Sequence, residues 1–345
     1  MKVARIAAGY RIEGPGPDVE LANRYLAHLA TRNFSTATVR TYAFHLLSFL
    51  RFADEHQLEL GSVTPTDIFD FLAWLGLRPP ITASVVPVGV RLGASPSTLN
   101  QRIAAVRGLF EYAVVTGLRQ RSPVPVSHRA SGLAVKPRGL LGHVSSGKPR
   151  AGGHLVKEER RLPESLEPDD LEAFLADLNT HRDRAMTLAM LSGGLRSAEV
   201  RSLLLRDIDM GLGRIKVLGK GRRERVVPVD KAFLRELASY LRTERPAGCS
   251  SPECFVVLRG PTRGAPMSEA GLRRIFRTHR LSSGALRVRP HRLRHTYGTE
   301  LASCGIDLIV LQQLMGHANP ETTAAYIHLV PETLAREYER ARSQR

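Results

Sequence analysis

A histidine and a tyrosine lie nine residues apart near the end of the chain, at His317 and Tyr326. Between them, Asn319 can cap a helix. Pro320 suits the first helical position, where proline's missing N–H would have no partner in any case. The pattern predicts a turn followed by a short helix that brings Tyr326 beside His317. A phenol becomes a nucleophile where neighbouring groups activate it and stabilise the developing charge. The chemistry therefore depends on the cations upstream.

Four upstream side chains have positions that favour chemistry. Arg196 follows a double-glycine turn, and Lys220 lies between two glycines at the tip of a predicted hairpin. His291 and Arg294 are three residues apart, so a helix would present them on one face. Each pattern is weak alone, and their combination in one chain carries the interpretation.

The chain also carries a large and segregated positive charge. Its formal net charge is +17 over 345 residues, and the stretches 112–157 and 270–299 contain basic residues but no Asp or Glu. Such an excess favours a polyanionic partner, with nucleic acid ahead of a membrane surface. Because only 6% of the residues are aromatic, a base-stacking surface for single strands is not favoured. The composition predicts contacts with nucleic-acid phosphates.

Taken together, these motifs resemble those of the tyrosine recombinases, the phage-integrase family. All of them occur in the family's order and spacing, which makes the resemblance specific. The helical N-terminal part is similar to the family's core-binding domain. The matching segments are Leu195-Arg196-Ser197-Ala198-Glu199, Gly219-Lys220-Gly221, His291-Arg292-Leu293-Arg294-His295-Thr296, and Leu314-Met315-Gly316-His317 with Tyr326.

The resemblance implies a covalent mechanism on DNA. Tyr326 would attack phosphorus, which gives a 3′-phosphotyrosyl link and a free 5′-hydroxyl. Arg196 and Arg294 can hold the nonbridging oxygens with paired hydrogen bonds, because guanidinium forks match phosphate and stay protonated. His317 would add a further donor. This fixed positive charge would make a metal ion dispensable, and religation would need no ATP.

Other residues of the motifs would move protons or orient the site. Lys220 would protonate the leaving oxygen, and His291 would assist as acid or base. Glu199 is predicted to orient its neighbours by a hydrogen bond, and His295 to be a packed residue behind the site. Tyr297 could compete as nucleophile, but it stands where the family carries an aromatic core residue. His328 could touch the site or lie on the surface.

The resemblance also implies partners. The chain would act on duplex DNA with specific recombination sites, as a homotetramer with two protomers per site that passes through a Holliday junction. Accessory DNA-bending proteins or a second recombinase stay open, as does the outcome: integration, excision, resolution or transposition. Type IB topoisomerase-like relaxation and a non-catalytic DNA-binding protein are the alternatives. Candidate DNA contacts are Arg40, Arg102, Arg107, Arg119, Arg121, Arg222, Arg223, Arg273, Arg274 and Arg277.

A nucleotide-binding P-loop is excluded by single residues. In that motif Lys220 would be preceded by a first glycine at position 214 and followed by Ser or Thr. The chain instead has Arg214 and Gly221 at these positions.

A zinc site is not predicted either. His291 and His295 have the spacing of a zinc metalloprotease, but Arg292 replaces the glutamate base. Cys249 and Cys254 have no second Cys or His pair nearby. Three cysteines in the whole chain do not suit a disulfide framework and fit a reducing cytosol. We therefore expect no metal and no cofactor, no membrane segment, and a cytoplasmic, nucleoid-associated protein.

These residues need a scaffold of two domains, which the length of the chain allows. The predicted fold class is mainly α with a small antiparallel β-sheet: a helical, SAM-like core-binding domain and an α+β catalytic domain. The predicted parts are a loose leader at 1–17, the helical domain at 18–118, a basic linker at 119–162, and the catalytic domain with a C-terminal helix at 163–345.

Local patterns place the motifs on elements of the catalytic domain. Residues 214–218 and 224–229 predict strands joined at Lys220, and 255–258 predicts a third strand of the same sheet. Residues 78–97 predict an inserted loop in the helical domain. Further helices are predicted at 268–280, 290–303, 307–315, 320–328 and 331–342, the last of which could dock on a neighbouring protomer.

Overall fold

The computed structural model describes residues 1–7, 9–77, 93–125, 155–157, 165–219, 224–317, 322–323, 326 and 342. The chain divides into two compact units, an N-terminal unit, Met1–Arg160, and a C-terminal unit, Arg161–Arg345. The predicted fold class, mainly α with small antiparallel sheets, is confirmed. Several predicted features lie outside the described residues: Lys220, Arg222, Arg223 and His328. The same holds for residues 78–92 of the predicted loop, most of the predicted linker, and the predicted C-terminal helix except Arg342.

The N-terminal unit begins with a hairpin of two strands, β1 (Lys2–Ile6) and β2 (Gly9–Glu13), which pair antiparallel. The prediction of a loose leader is therefore wrong. Ile12 is fully buried, its backbone N–H donates to the side-chain oxygen of Asn23 at 2.8 Å, and its carbonyl accepts from the Asn23 amide at 2.9 Å. One buried side chain and its paired backbone thus fix the hairpin to the helices.

The helices of this unit begin at local capping signals. Ser35 accepts a hydrogen bond from the backbone N–H of Thr38, as an N-cap does. In the core, the ring of Phe49 makes edge-on contacts with Phe71 at 5.0 Å and with Phe110 at 5.8 Å between centroids. The helices are α1 (Pro17–Thr31), α2 (Thr36–Glu55), α3 (Pro65–Leu77) and α4 (Pro96–Val115).

The described ends of the predicted linker pack on the helical unit. Arg119 donates to the carbonyls of Leu60 at 2.5 Å and Val63 at 2.8 Å, and its guanidinium lies 5.3 Å from the centre of the Phe110 ring. Farther along, the backbone N–H of Val156 donates to Asn100 at 3.0 Å. These short segments are anchored, unlike the extended linker that the composition predicted.

The C-terminal unit alternates helices with one small sheet. In its described part, β3 (Ile208–Asp209), β4 (Arg214–Leu218) and β5 (Glu224–Pro228) are antiparallel neighbours in that order. The third strand was predicted at 255–258, and this prediction is wrong, because that segment makes only one isolated bridge, between Val256 and Pro266. The helices are α5 (Pro168–Asp177), α6 (His181–Leu191), α7 (Ser197–Ser202), α8 (Lys231–Thr243), α9 (Glu269–Ser282), α10 (Pro290–Ser303) and α11 (Leu308–Met315).

Packing around α10 positions the candidate site. This helix contacts both α6 and α11. A large core built around Phe174, Phe233 and Tyr240 supports it on one side. A smaller apolar cluster contains Met315 and the predicted nucleophile Tyr326. Among the described residues, no helix is long and apolar enough to cross a membrane.

The hairpin analysis predicts that Ile12→Ala lowers the free energy of unfolding of the N-terminal unit by about 2–5 kcal/mol, because a filled core site is emptied. Ile6 is the matched control on the same hairpin: it is 42% exposed, so Ile6→Ala should change the stability by about 0.5 kcal/mol or less. Urea denaturation followed by circular dichroism measures both. Equal stability of the two variants would show that the hairpin is not docked.

Candidate active site

Arg196 lies where the sequence predicted it, at the start of α7 directly after the glycine turn. Gly194 has φ of 60°, and a Cβ there would clash with the ring of Tyr297. The backbone N–H of Arg196 donates to one oxygen of Glu199 at 2.8 Å, and its Nη1 donates to the other at 2.9 Å. The carboxylate therefore both caps the helix and sets the direction of the guanidinium.

Glu199 is buried beneath a second arginine. Arg225, on β5, donates from Nη1 and Nη2 to the two carboxylate oxygens, each at 2.8 Å. Burial alone would raise the pKa of Glu199, but the hydrogen bonds from Arg225 and from the backbone of Arg196, with the charges of both arginines, lower it to about 2. This carboxylate is ionised throughout the physiological range.

The C-terminal end of α11 accepts hydrogen bonds from arginines at consecutive carbonyls. Such carbonyls have no partner within their own helix and carry partial negative charge. The pairs are Arg225 Nε with the Leu314 carbonyl at 2.9 Å, Arg294 Nη2 with the Met315 carbonyl, and Arg196 Nη2 with the Gly316 carbonyl at 3.0 Å.

Arg294 is the more enclosed of the two predicted phosphate ligands. It is 6% exposed, and its Nη1 donates to the carbonyl of Gly194. Burial, and then the charge of Arg196, lowers its pKa to about 10. The guanidinium therefore remains positive at neutral pH. By contrast, the side chain of Arg196 is 37% exposed.

Tyr326 makes a direct contact that the sequence analysis did not predict. Its hydroxyl lies 2.6 Å from Nδ1 of His295, and the side chain is 2% exposed. Burial raises the pKa of Tyr326, opposed by the charges of Arg294 and Arg196. Burial, then the charges of His291 and Arg294, lowers the pKa of His295 to about 4. At neutral pH the phenol is therefore protonated and the imidazole neutral, and one hydrogen bond joins them.

His317 also contacts the ring of Tyr326. Its ring is nearly parallel to that of Tyr326, at 12° and 6.2 Å between centroids, and its Nδ1 lies 3.0 Å from the Thr323 hydroxyl. Burial and the charges of Arg294 and Arg196 lower the pKa of His317 to about 4. His317 follows α11 directly, so the arginines that hold the helix end also hold this histidine.

The structure brings most of the predicted site together. Arg196, Glu199, Arg294, His317 and Tyr326 form one connected cluster. His291 lies at the exposed edge of the cluster, and its ring centroid is 5.6 Å from that of His295. Partial burial of the imidazole and the charges of Arg289 and Arg292 lower the pKa of His291. The role of Lys220 stays a prediction, because it lies outside the described residues.

The sequence analysis missed contacts that complete the cluster. His295 was predicted to be a packed residue, but it contacts the phenol oxygen itself. Arg225 and Thr323 were not singled out. One signal was available for Arg225: β5 alternates exposed and inward positions, and this arginine occupies an inward one. A charged residue at such a position indicates a buried partner.

The arginines predicted to contact DNA have different environments. Arg102 and Arg107 are half-buried and donate to Ser48 Oγ at 3.4 Å and to the Pro125 carbonyl at 3.3 Å. Like Arg119, they have partners within the protein, and their contact with DNA stays a prediction. Arg222 and Arg223 lie outside the described residues. The exposed members are Arg40, Arg121, Arg273, Arg274 and Arg277, of which Arg273 pairs with Glu269.

In the described part of the chain, no group of three or more His, Cys, Asp or Glu side chains could hold a metal ion. Cys249, Cys254 and Cys304 are free thiols. The cluster therefore consists of arginines, histidines, one carboxylate and a phenol. Such a set suits charge stabilisation at a phosphate together with proton transfer.

Two family models match the chain. The model described as the phage integrase family matches residues 164–333, and the model described as the phage integrase N-terminal SAM-like domain matches residues 22–117. The first range contains every candidate active-site residue. The second range begins within α1 and contains α2 to α4 of the N-terminal unit.

Curated and solved proteins agree with these matches. The chain is 27% identical over 313 residues to tyrosine recombinase XerC of Staphylococcus haemolyticus, covering 89% of this chain and 91% of that protein. It is 30% identical over 319 residues to XerC of Thermodesulfovibrio yellowstonii, covering 89% and 90%. The XerH site-specific recombinase bound to a palindromic difH substrate has the same fold, at 20% identity and a TM-score of 0.61, covering 93% of this chain and 86% of that chain.

Close packing at the phenol generates a prediction for Gly298. A Cβ at this position of α10 would lie 2.8 Å from the Tyr326 ring and 2.9 Å from the Met315 sulfur. Gly298→Ala should therefore lower the free energy of unfolding of the C-terminal unit by about 1–3 kcal/mol through overpacking. Gly76→Ala, in α3 with open space around it, should instead raise that of the N-terminal unit by about 0.4–1 kcal/mol. Urea denaturation measures both, and stabilisation by Gly298→Ala would contradict the packing.

Proposed function

The chain belongs to the phage integrase family, and from this premise we propose that it is a site-specific DNA recombinase. It cleaves and rejoins duplex DNA through a 3′-phosphotyrosyl intermediate and a Holliday junction. The observation that carries the proposal is the arrangement of a tyrosine hydroxyl and guanidinium groups around the end of α11. A phosphate bound there would face both a nucleophile and fixed positive charge.

Charge stabilisation is the task of the arginines. A phosphodiester carries one negative charge, and attack at phosphorus increases the charge on its nonbridging oxygens. Arg196 meets these oxygens first, because its guanidinium is partly exposed and is oriented by Glu199. Arg294 stabilises the same charge from beneath. These groups act in a partly buried place, where electrostatic interactions are stronger than in water.

Phosphate binding would compete with the end of α11 for these donors. Arg196 and Arg294 now donate to the neutral carbonyls of Gly316 and Met315. A phosphate oxygen is a stronger acceptor, because its negative charge attracts a guanidinium more strongly than a neutral carbonyl does. Because Met315 also packs against Tyr326, an exchange of acceptors would loosen the pocket of the buried phenol. Substrate binding would thus release the nucleophile.

Proton transfers complete the reaction. The phenol oxygen of Tyr326 forms the new bond to phosphorus and gives its proton to His295 Nδ1. The bond from phosphorus to the 5′ oxygen breaks, and that oxygen takes a proton from Lys220. His291, in ring contact with His295, assists the proton on its way to solvent. Religation runs these steps in reverse and restores the protonation of both groups.

Neither a metal ion nor ATP takes part in this proposal. The guanidinium groups supply the positive charge that Mg²⁺ would otherwise supply at a phosphoryl centre. The phosphotyrosyl bond conserves the energy of the broken phosphodiester, so rejoining needs no nucleotide.

The partner of the protein is double-stranded DNA. We propose that four protomers act on two recombination sites, two per site, and that exposed arginines such as Arg274 and Arg277 on α9 contact the backbone. Steep salt dependence of binding is expected from such phosphate contacts. Integration, excision, resolution and transposition are all outcomes of this chemistry.

Tyr326→Phe should abolish covalent attachment of the protein to a nicked suicide duplex that carries the cognate site. Only the nucleophilic hydroxyl is lost, so the dissociation constant for DNA should stay within about threefold of the wild type, since the cationic contacts remain. Adducts are resolved by denaturing electrophoresis and mapped by mass spectrometry. The assay contains EDTA and no ATP, so wild-type adducts under these conditions also test metal and ATP independence.

Tyr297→Phe is the matched control. Tyr297 is also a buried tyrosine of the C-terminal unit, carried by α10, but it has no place in the proposed reaction. Its variant should still form adducts. Adducts at a residue other than Tyr326, or full cleavage by Tyr326→Phe, would refute the proposed nucleophile.

The pKa of His295 generates a second functional prediction. A base with a pKa of about 4 is neutral above that pH and is lost only as the pH falls through it. The single-turnover cleavage rate of the wild type should therefore be flat between pH 5 and 7, whereas a histidine near its ordinary pKa of about 6.5 would give a decline. His295→Gln should lower the rate by about 10²–10⁴-fold at every pH.

His291→Gln is the comparison for this experiment, because it removes the neighbouring imidazole without touching the phenol. Its effect on the cleavage rate should be smaller than that of His295→Gln. A larger loss for His291→Gln would assign the phenol proton to His291 and not to His295.

A further inference from the structure

Arg225 joins Glu199 of α7 to the C-terminal end of α11. We propose that Arg225 is a positioning residue for DNA cleavage, which clamps Glu199 against Arg196 and ties both to the end of α11 that carries His317. This inference rests on the proposed recombinase function. It concerns a residue that the motif analysis did not include.

The contacts of Arg225 use all three nitrogens of its guanidinium. Nη1 and Nη2 hold the two oxygens of Glu199 at 2.8 Å each, and Nε donates to the Leu314 carbonyl at 2.9 Å. The side chains of Arg225 and Glu199 are 10% and 6% exposed. A planar fork at this depth fixes both partners in angle as well as in distance.

The two partners of Arg225 lead to different catalytic groups. Glu199 holds the backbone and the guanidinium of Arg196. Leu314 lies in the last turn of α11, two residues before Gly316, whose carbonyl accepts from Arg196. His317 is the next residue. One side chain therefore relates the phosphate-binding arginine to the histidine beside the phenol.

The place of Arg225 on β5 brings it close in sequence to Lys220, the proposed general acid. β5 begins at Glu224, and the chain between β4 and β5 contains Lys220, five residues before Arg225. Arg225, the second residue of β5, therefore anchors the start of the strand that follows Lys220 in sequence. The clamp joins three segments of the chain that are far apart in sequence.

Gly316 makes room for this clamp. A Cβ at Gly316 would lie 3.0 Å from Nη1 and 3.2 Å from Cδ of Arg225, and its φ of 60° is a left-handed conformation that suits glycine. The guanidinium therefore packs directly on the backbone at the end of α11. Lysine at position 225 would supply a charge but no planar fork and no donor equivalent to Nε.

Removal of Arg225 should raise the pKa of Glu199. Burial raises the pKa of Glu199, and the hydrogen bonds from Arg225 are the main effect that lowers it to about 2. Without Arg225, the carboxylate keeps its burial and loses its strongest partner. Its pKa then rises, and the protonated form cannot accept both hydrogen bonds from Arg196.

The test compares Arg225→Gln and Arg225→Lys with the wild type in single-turnover cleavage of a nicked suicide duplex, at saturating protein. We expect Arg225→Gln to lower the rate by about 100-fold or more, since a misplacement of about 1 Å costs that much. DNA affinity should stay within about threefold, because the Arg225 side chain is only 10% exposed and its three nitrogens already have partners within the protein. Arg225→Lys should give an intermediate rate.

The pH profile separates positioning from mere stability. The wild-type cleavage rate should be flat from pH 8 to 5, because the pKa of Glu199 is about 2 and the carboxylate stays ionised. Arg225→Gln should lose its residual activity as the pH falls through the raised pKa of Glu199. The double variant Arg225→Gln/Glu199→Gln should lack this acid limb and cleave no more slowly than Arg225→Gln at pH 6, because the two residues act through one contact.

Arg214→Gln is the matched control. Arg214 lies on β4 of the same sheet, its side chain is 51% exposed, and it pairs with Asp209. The variant removes the same charge from the same hairpin and should cleave at the wild-type rate.

The outcomes are distinct. Wild-type cleavage by both Arg225 variants, or a slow variant with a flat pH profile, would overturn the inference while leaving the recombinase intact. If Arg225→Gln does not fold, the rate and pH profile of Arg225→Lys decide in the same way. Absence of any adduct from the wild type on its cognate site would instead overturn the proposed function.

Discussion

Buried positive charge constrains the architecture of the C-terminal unit. Arg225 and Arg294 lie as deep as core residues, close to the more exposed Arg196, and buried cations persist only where acceptors surround them. Glu199 supplies the opposing charge, and the carbonyls at 314–316 supply the remaining acceptors. The end of α11 must lie at this place, because helix C-terminal carbonyls are free of internal partners and carry the negative end of the helix dipole.

The same constraint explains why a structural cluster can serve as a catalytic one. Guanidinium groups that already have neutral acceptors are held in fixed directions, so they need little reorganisation when a charged acceptor arrives. Glu199 keeps its charge because Arg225 is there, and through that charge it orients Arg196. Arg225 therefore orients Arg196 indirectly, through a guanidinium whose three nitrogens all bond within the protein. Catalytic direction and fold stability come from one set of hydrogen bonds.

Sequence patterns predicted the elements better than the contacts. The helix predicted at 290–303 has the bounds of α10, because capping and periodicity are local and depend on residue type. The N-terminal hairpin was missed because its docking rests mainly on Ile12 and on a long-range pair with Asn23. The third strand was misassigned because Ile208–Asp209 has only two residues. Such choices depend on tertiary partners that a local pattern does not contain.

Within the site, motifs identified side chains but not their partners. Arg196, Arg294, His317 and Tyr326 were found from spacing, since helix periodicity and turn chemistry determine where they point. The contact of His295 with the phenol depends on how α10 packs on the segment after α11, which no spacing reveals. That contact is also chemically consequential. In the proposed reaction, a phenol whose pKa is raised, beside an imidazole whose pKa is lowered, is a nucleophile with its base already in place but without the charge that would make it reactive. Reactivity then requires the arginines to turn from the backbone to a phosphate, which links chemistry to substrate binding.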